Sequence, residues 1–94
     1  MTEDQRERMP LGRIAIAEAD RKVLHPEDLK EALDDHARGS WGGCDALERY
    51  ENEQALRTGG SVGSEFCDRN GVRFLVVTEG SRTVTRVTVL EEDE

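Results

Sequence analysis

The dipeptide Asn70-Gly71 constrains this chain more than any other feature, because it sits between two runs of strand-forming residues. Asn-Gly is the strongest short hairpin signal, since a two-residue turn wants positive φ at both central positions. It predicts antiparallel pairing of a strand at Ser61–Asp68 with one at Val72–Thr78. The second holds Phe74-Leu75-Val76-Val77, apolar on both faces. That marks a central strand covered on both sides, or one packed on one face and part-exposed on the other. Glu79-Gly80-Ser81-Arg82 forms a second turn, and Thr83–Leu90, rich in Val and Thr, closes the meander.

The pattern changes upstream. Leu29, Ala32, Leu33, His36 and Ala37 fall at i, i+3, i+4, i+7 and i+8, one apolar helical stripe. Pro26 suits the first turn, Glu27 and Asp28 suit the positive end of the dipole, and Gly39 ends the helix. Residues 39–44 make a tight loop. Asp45, with Glu48 three residues on, caps a second helix as a variant capping box. Leu47, Tyr50 and Gln54 share one side of it, Ala55 and Leu56 extend it, and Gly59-Gly60 ends it. Residues 11–17, after Pro10, read as a short strand, and Glu18–Leu24 as a turn of helix or a loop. The expected fold is α+β, ordered strand-helix-helix-strand-strand-strand. Two helices pack on one face of a three- or four-stranded antiparallel sheet. Residues 1–9 read as a flexible arm, 10–90 as a single domain, and 91–94 as an acidic disordered tail.

Leu, Ile, Val and Phe together number 20 of 94 residues, so the core is small. The net charge is -8, and Glu91-Glu92-Asp93-Glu94 supplies half of it. The remainder is mildly acidic, which disfavours direct binding to nucleic acid or anionic lipid. No apolar run reaches the roughly 20 residues that cross a membrane. Two cysteines without dense spacing fit a reduced, cytoplasmic setting.

Candidate chemistry is sparse. His25, His36, Cys44 and Cys67 lack the paired spacing of a zinc site, so no metal or other cofactor is expected. His36 has the side chain of a general base, but it lies on the apolar stripe and in the last helical turn. Ser40, Ser61 and Ser64 lack a nucleophile-elbow context. Gly59–Ser64 is glycine-rich but runs from helix to strand, opposite to a phosphate-binding loop. Trp41 is either core or an exposed anchor for a partner. Asn52 is a poor interior helix residue, placed to bond a loop or a strand edge. Asp34, Asp35, Glu48 and Glu51 are the candidate acidic surface, with Arg38, Arg49 and Arg57 interleaved.

Several of these residues form an ordered series: His36-Ala-Arg-Gly39-Ser-Trp41-Gly42, Asn52-Glu53-Gln54-Ala55-Leu56, Gly71, Val76-Val77-Thr78-Glu79 and Arg82-Thr83-Val84-Thr85. Over residues 11–90 the series resembles a family of small proteins of bacterial plasmids, phages and other mobile elements. Its members are often called plasmid-related proteins, and some carry the label of a type I restriction methyltransferase subunit. A chain this short cannot hold a methyltransferase domain. The resemblance implies a cytoplasmic protein and supplies no catalytic residues. This chain departs from the family pattern at Ser40, where Asp is common, and in its acidic ending. The expected function is a small, acidic, non-enzymatic accessory protein that binds an unidentified protein partner. His36, Trp41, Asn52 and Glu53 are its signature cluster. The alternative is an inhibitor of a host defence or nucleic-acid-binding protein, acting through the acidic surface. A third reading is a small hydrolase or nuclease using His36. A free edge strand in so small a sheet makes a homodimer feasible.

Overall fold

A computed structural model describes residues 7–90. The order of elements is β1 (Arg13–Ile16), α1 (Glu18–Val23), α2 (Pro26–Arg38), α3 (Ala46–Thr58), β2 (Val62–Cys67), β3 (Arg73–Thr78) and β4 (Val84–Val89). The ambiguous segment after β1 is therefore a helix. The fold is α+β, with the strands in the order β1-β4-β3-β2. The meander β2-β3-β4 is antiparallel as expected. β1 departs from expectation, because it pairs parallel with β4 and the sheet is mixed. The reason is topological. A parallel pair needs a long crossover, and here all three helices and two strands lie between its members. The acidic tail at 91–94 and the first six residues of the arm lie outside the described residues. The rest of the arm is not loose. Arg8 donates its backbone N–H to Ala37 O at 2.7 Å, and Met9 is buried.

The sheet alternation builds the core. Phe74, Val76 and Thr78 of β3 face the same way as Val62 and Ser64 of β2 and Thr85 and Val87 of β4. α2 lies on this face, through Leu29 and Ala32, which join Leu24, Phe74, Val76 and Val87 in the larger apolar cluster. The Phe66 and Phe74 rings meet at 5.9 Å. Burying a side chain such as Phe74 or Val76 contributes about 2 kcal/mol. α3 packs alongside at the β2 edge. It contributes Ala55 to a second cluster with Met9, Trp41 and Val62.

Local signals in the helices match the structure. His25 and Gly39 bound α2. Asp45 and Glu48 close both bonds of the capping box, at 2.8 and 2.9 Å. The face of α3 is a correction. Asn52 and Ala55 turn inward, while Leu47 and Tyr50 are 65% and 62% exposed. Ala55 and the part-buried Leu56 are the apolar side chains of α3 that reach the second cluster.

The first hairpin forms, with a different turn. Asn70 keeps negative φ and only Gly71 is left-handed, at +85°. Asp68 N–H bonds Val72 O, so three residues bridge the strands. The Asp68 carboxylate decides this, accepting from Asn70 N–H and Val72 N–H at 2.9 Å each. Its other oxygen accepts from His25 N–H at 3.0 Å. Backbone donors, Val72 first, hold the Asp68 carboxyl below its ordinary range. Arg69 grips Asp28 of α2 beside it and lowers that carboxyl to about 2. The hairpin tip is thereby fastened to the N-terminus of α2. Among the described residues, no helix is long and apolar enough to cross a membrane.

Candidate functional site

His36 has no exposure to solvent. Its imidazole reaches from α2 into the sheet and heads a chain of hydrogen bonds whose direction follows from counting protons. Leu11 O can only accept, so Thr85 Oγ1–H donates to it, at 2.7 Å. With that proton used, Thr85 Oγ1 accepts from Thr78 Oγ1–H at 2.7 Å. Thr78 Oγ1 in turn accepts from His36 Nε2–H at 2.9 Å. His36 Nδ1 is then the acceptor, and Ser64 Oγ–H donates to it in a short contact. Every proton in the chain has one place. The chain ties α2 to β2, β3 and β4 and to the segment that precedes β1. Burial, with the nearby Arg82 charge second, pushes the His36 pKa down to about 4. Protonation would put a proton on Nδ1, leaving Ser64 without an acceptor.

Ser64 beside His36 has the composition of a nucleophile and its base. Ser64 is 2% exposed, however, and its Oγ–H is committed to the imidazole Nδ1 within the core. Both residues are buried, and their bond joins α2 to β2 inside the core, with Ser64 also bordering the groove beside α3.

Trp41 is 2% exposed and fills the second cluster, so the core reading of this residue holds. The Arg8 guanidinium lies 5.9 Å from the Trp41 ring centroid. The same guanidinium forms a two-pronged pair with Glu53, at 2.8 and 2.9 Å, which holds the Glu53 carboxyl below its ordinary range. Glu53 is thus a clamp for the chain leading to Met9. Asn52 acts as a short piece of strand. Its Nδ2–H donates to Gly63 O at 2.7 Å, and its Oδ1 accepts from Gly63 N–H at 3.1 Å. Two residues along, Gly43 N–H donates to Glu65 O at 2.8 Å. Gly42 permits that approach, because a Cβ there would sit 2.2 Å from Glu65 O. These contacts cover the β2 edge at Gly63 and Glu65.

The structure therefore brings Trp41 and Glu53 together through Arg8 and ties His36 and Asn52 to neighbouring residues of β2. Of the residues that complete these contacts, Ser64 is weighed in the sequence only as a nucleophile, and Thr78, Thr85 and Arg82 stand in the series that resembles the plasmid-related family, with no role assigned to them. Arg82 has no local signal for what it does. It adopts a φ of +62° and donates to Gly60 O at 2.8 Å, Glu79 O at 3.1 Å and Ala55 O at 3.2 Å.

The acidic candidates separate into two places. On α2, Asp34 pairs with Lys30 and Asp35 with Arg38. On α3, Glu48 and Glu51 line a shallow groove of about 200 Å³ with Cys44, Glu65, Leu75 and Val77. Burial raises the Cys44 thiol pKa, and the thiol donates to Gly63 O at 3.4 Å. Cys44 and Cys67 are free thiols. Among the described residues, no group of three or more His, Cys, Asp or Glu is placed to hold a metal ion. No protein-family model, curated protein or solved structure matches the chain.

Proposed function

We propose that this chain is a small, cytoplasmic, non-enzymatic accessory protein of a mobile genetic element, and that it works by binding a protein partner. One contrast carries the reading. The side chains with catalytic potential, His36 and Ser64, are buried and hydrogen-bonded to each other inside the fold. Large apolar side chains instead stand in solvent on α3, where Leu47 and Tyr50 flank Glu48 and Glu51. Exposed aromatic and aliphatic groups beside charge are the ingredients of an interface anchor and rim. The variant Leu47→Ser/Tyr50→Ser tests it. Its melt stays within a few degrees of wild type, and it loses both biological effect in its native host and capture of the partner. Unchanged effect and capture would sink the reading.

A second reading rests on the carboxylates of the α3 groove. Glu48 and Glu51 there would face a basic, nucleic-acid-binding host protein and block it. This reading expects binding that weakens steeply with salt and is lost in Glu48→Gln/Glu51→Gln. Binding indifferent to both would exclude it.

A further inference from the structure

The two edges of the sheet are finished differently. On β2, Asn52 takes both backbone groups of Gly63, and Gly43 takes the carbonyl of Glu65. On β1 no such cover exists among the described residues. Arg13 N–H donates to Thr83 O, so Arg13 and Ala15 direct their main-chain groups at β4. Alternation then turns the N–H and C=O of Ile14 and Ile16 outward. Both isoleucine side chains are only half-buried, at the rim of the larger apolar cluster. A groove of about 510 Å³ over residues 13–17 extends onto Arg86–Thr88 of β4 and leaves this side of the sheet open.

The geometry points to a second copy of this chain as the occupant of that edge, with β1 pairing antiparallel to β1 across a twofold axis at Ala15. Ile14 lies opposite Ile16 of the second copy, and the two exchange N–H···O bonds in both directions. Their side chains continue the apolar face across the junction, making one eight-stranded sheet. Arg13 lies opposite Ala17 of the second copy, next to Glu18. Arg13 and Glu18 are both exposed and have no side-chain partner among the described residues. The symmetry supplies each with an opposite charge, twice per dimer. A register shifted by one residue would put Arg13 on the core side of its neighbour, so the apolar pattern selects this one. The contact is small, five residues a side, and falls below the roughly 1,200 Å² of stable complexes. Association therefore belongs at concentrations on the order of 100 μM and above. The inference does not depend on the partner proposed for α3.

Sedimentation velocity of the full chain between 10 μM and 1 mM tests it. The average mass rises from the 10.5 kDa monomer toward twice that value. Ile16→Pro removes an outward N–H that the β1–β4 ladder does not use, and it stays monomeric at 1 mM. Ala15→Cys, in a Cys44→Ser/Cys67→Ser background, faces its own copy in a non-hydrogen-bonded pair. Its Cα separation of about 4.5 Å allows a disulfide. Mild oxidation then gives a covalent dimer, while Thr88→Cys in the same background does not. A wild-type chain that is monomeric at 1 mM overturns the inference. So does a dimer that survives Ile16→Pro, or one that Ala15→Cys cross-links no faster than Thr88→Cys. If Ile16→Pro does not fold, the comparison of the two cysteine variants decides.

Discussion

At the scale of the residue, Asn52 illustrates how a side chain unsuited to its helix is justified by what it meets. An interior Asn costs helix propensity. Here its amide supplies one donor and one acceptor to Gly63, as a neighbouring strand would. Replacing it leaves the Gly63 N–H without a partner and the Gly63 carbonyl with only the Cys44 thiol, which costs about 1–3 kcal/mol. Asn52→Ala should lower stability by that amount in urea denaturation. Asn52→Asp should fall with it at neutral pH, because a carboxylate keeps the Gly63 N–H but repels the Gly63 carbonyl. Asn52→Asp should then recover part of the loss as acid protonates the new side chain. If Asn52→Ala is neutral, the amide is not closing the edge. Glu53, one residue on, contributes differently. Its pair with Arg8 is half-exposed, so Glu53→Gln should cost less than about 1 kcal/mol.

At the scale of the element, α3 is held by its ends and by its neighbours. Its N-terminus carries the capping box that Asp45 and Glu48 announce in the sequence. At its C-terminus the Arg82 guanidinium, offered from the β3–β4 turn, bonds Ala55 O inside the last turn and Gly60 O just beyond the helix. A cation there meets the negative end of the helix dipole. Arg82→Ala should lower the unfolding free energy by about 1–2 kcal/mol, and Arg82→Lys should recover little, since an ammonium cannot span three carbonyls. Amide exchange read along residues 55–60 checks this, with faster opening there than in α2. The segment before β1 behaves as part of the core through Met9. Met9→Ala should cost about 2–4 kcal/mol, measured by thermal or denaturant unfolding. A smaller loss would mean that Trp41 and Val62 pack well without it.

At the scale of the whole molecule, stability and pH are linked through one buried imidazole. The folded pKa of His36 is about 4, below its unfolded value of 6.5. Between these values the unfolded chain binds the extra proton, so stability falls as pH drops from about 6.5 toward 4 and levels off below. The loss between pH 7.5 and pH 5 is about 2 kcal/mol. Asp28, Asp68 and Glu53, whose folded pKa values are lowered, add their losses at more acid pH, below their ordinary range near 4. Denaturation curves of wild type and His36→Gln at pH 7.5 and pH 5 separate the terms. The variant should be less stable at pH 7.5 and nearly flat across the interval. An equally steep fall in the variant would place the linkage elsewhere.

Local sequence determined the elements of this protein. The stripe from Leu29 to Ala37, the cap at Asp45, the stop at Gly39 and the turn near Gly71 each act within a few residues. Their physics of propensity, capping and left-handed backbone is local, so it is legible in a linear string. Tertiary structure decided everything that needed two distant segments. Parallel pairing of β1 with β4 cannot be read from either strand, because both patterns suit either direction. The face of α3 was misread because Asn52 counts as polar until its strand partner is known, whereas Leu47 and Tyr50 count as apolar wherever they point. The signature residues were visible in order, but not their roles. His36 shows why. A histidine on an apolar stripe carries the same letters whether it is a base or a strut. Only Ser64 and Thr78, which the sheet brings to its two nitrogens deep in the core, make it a strut.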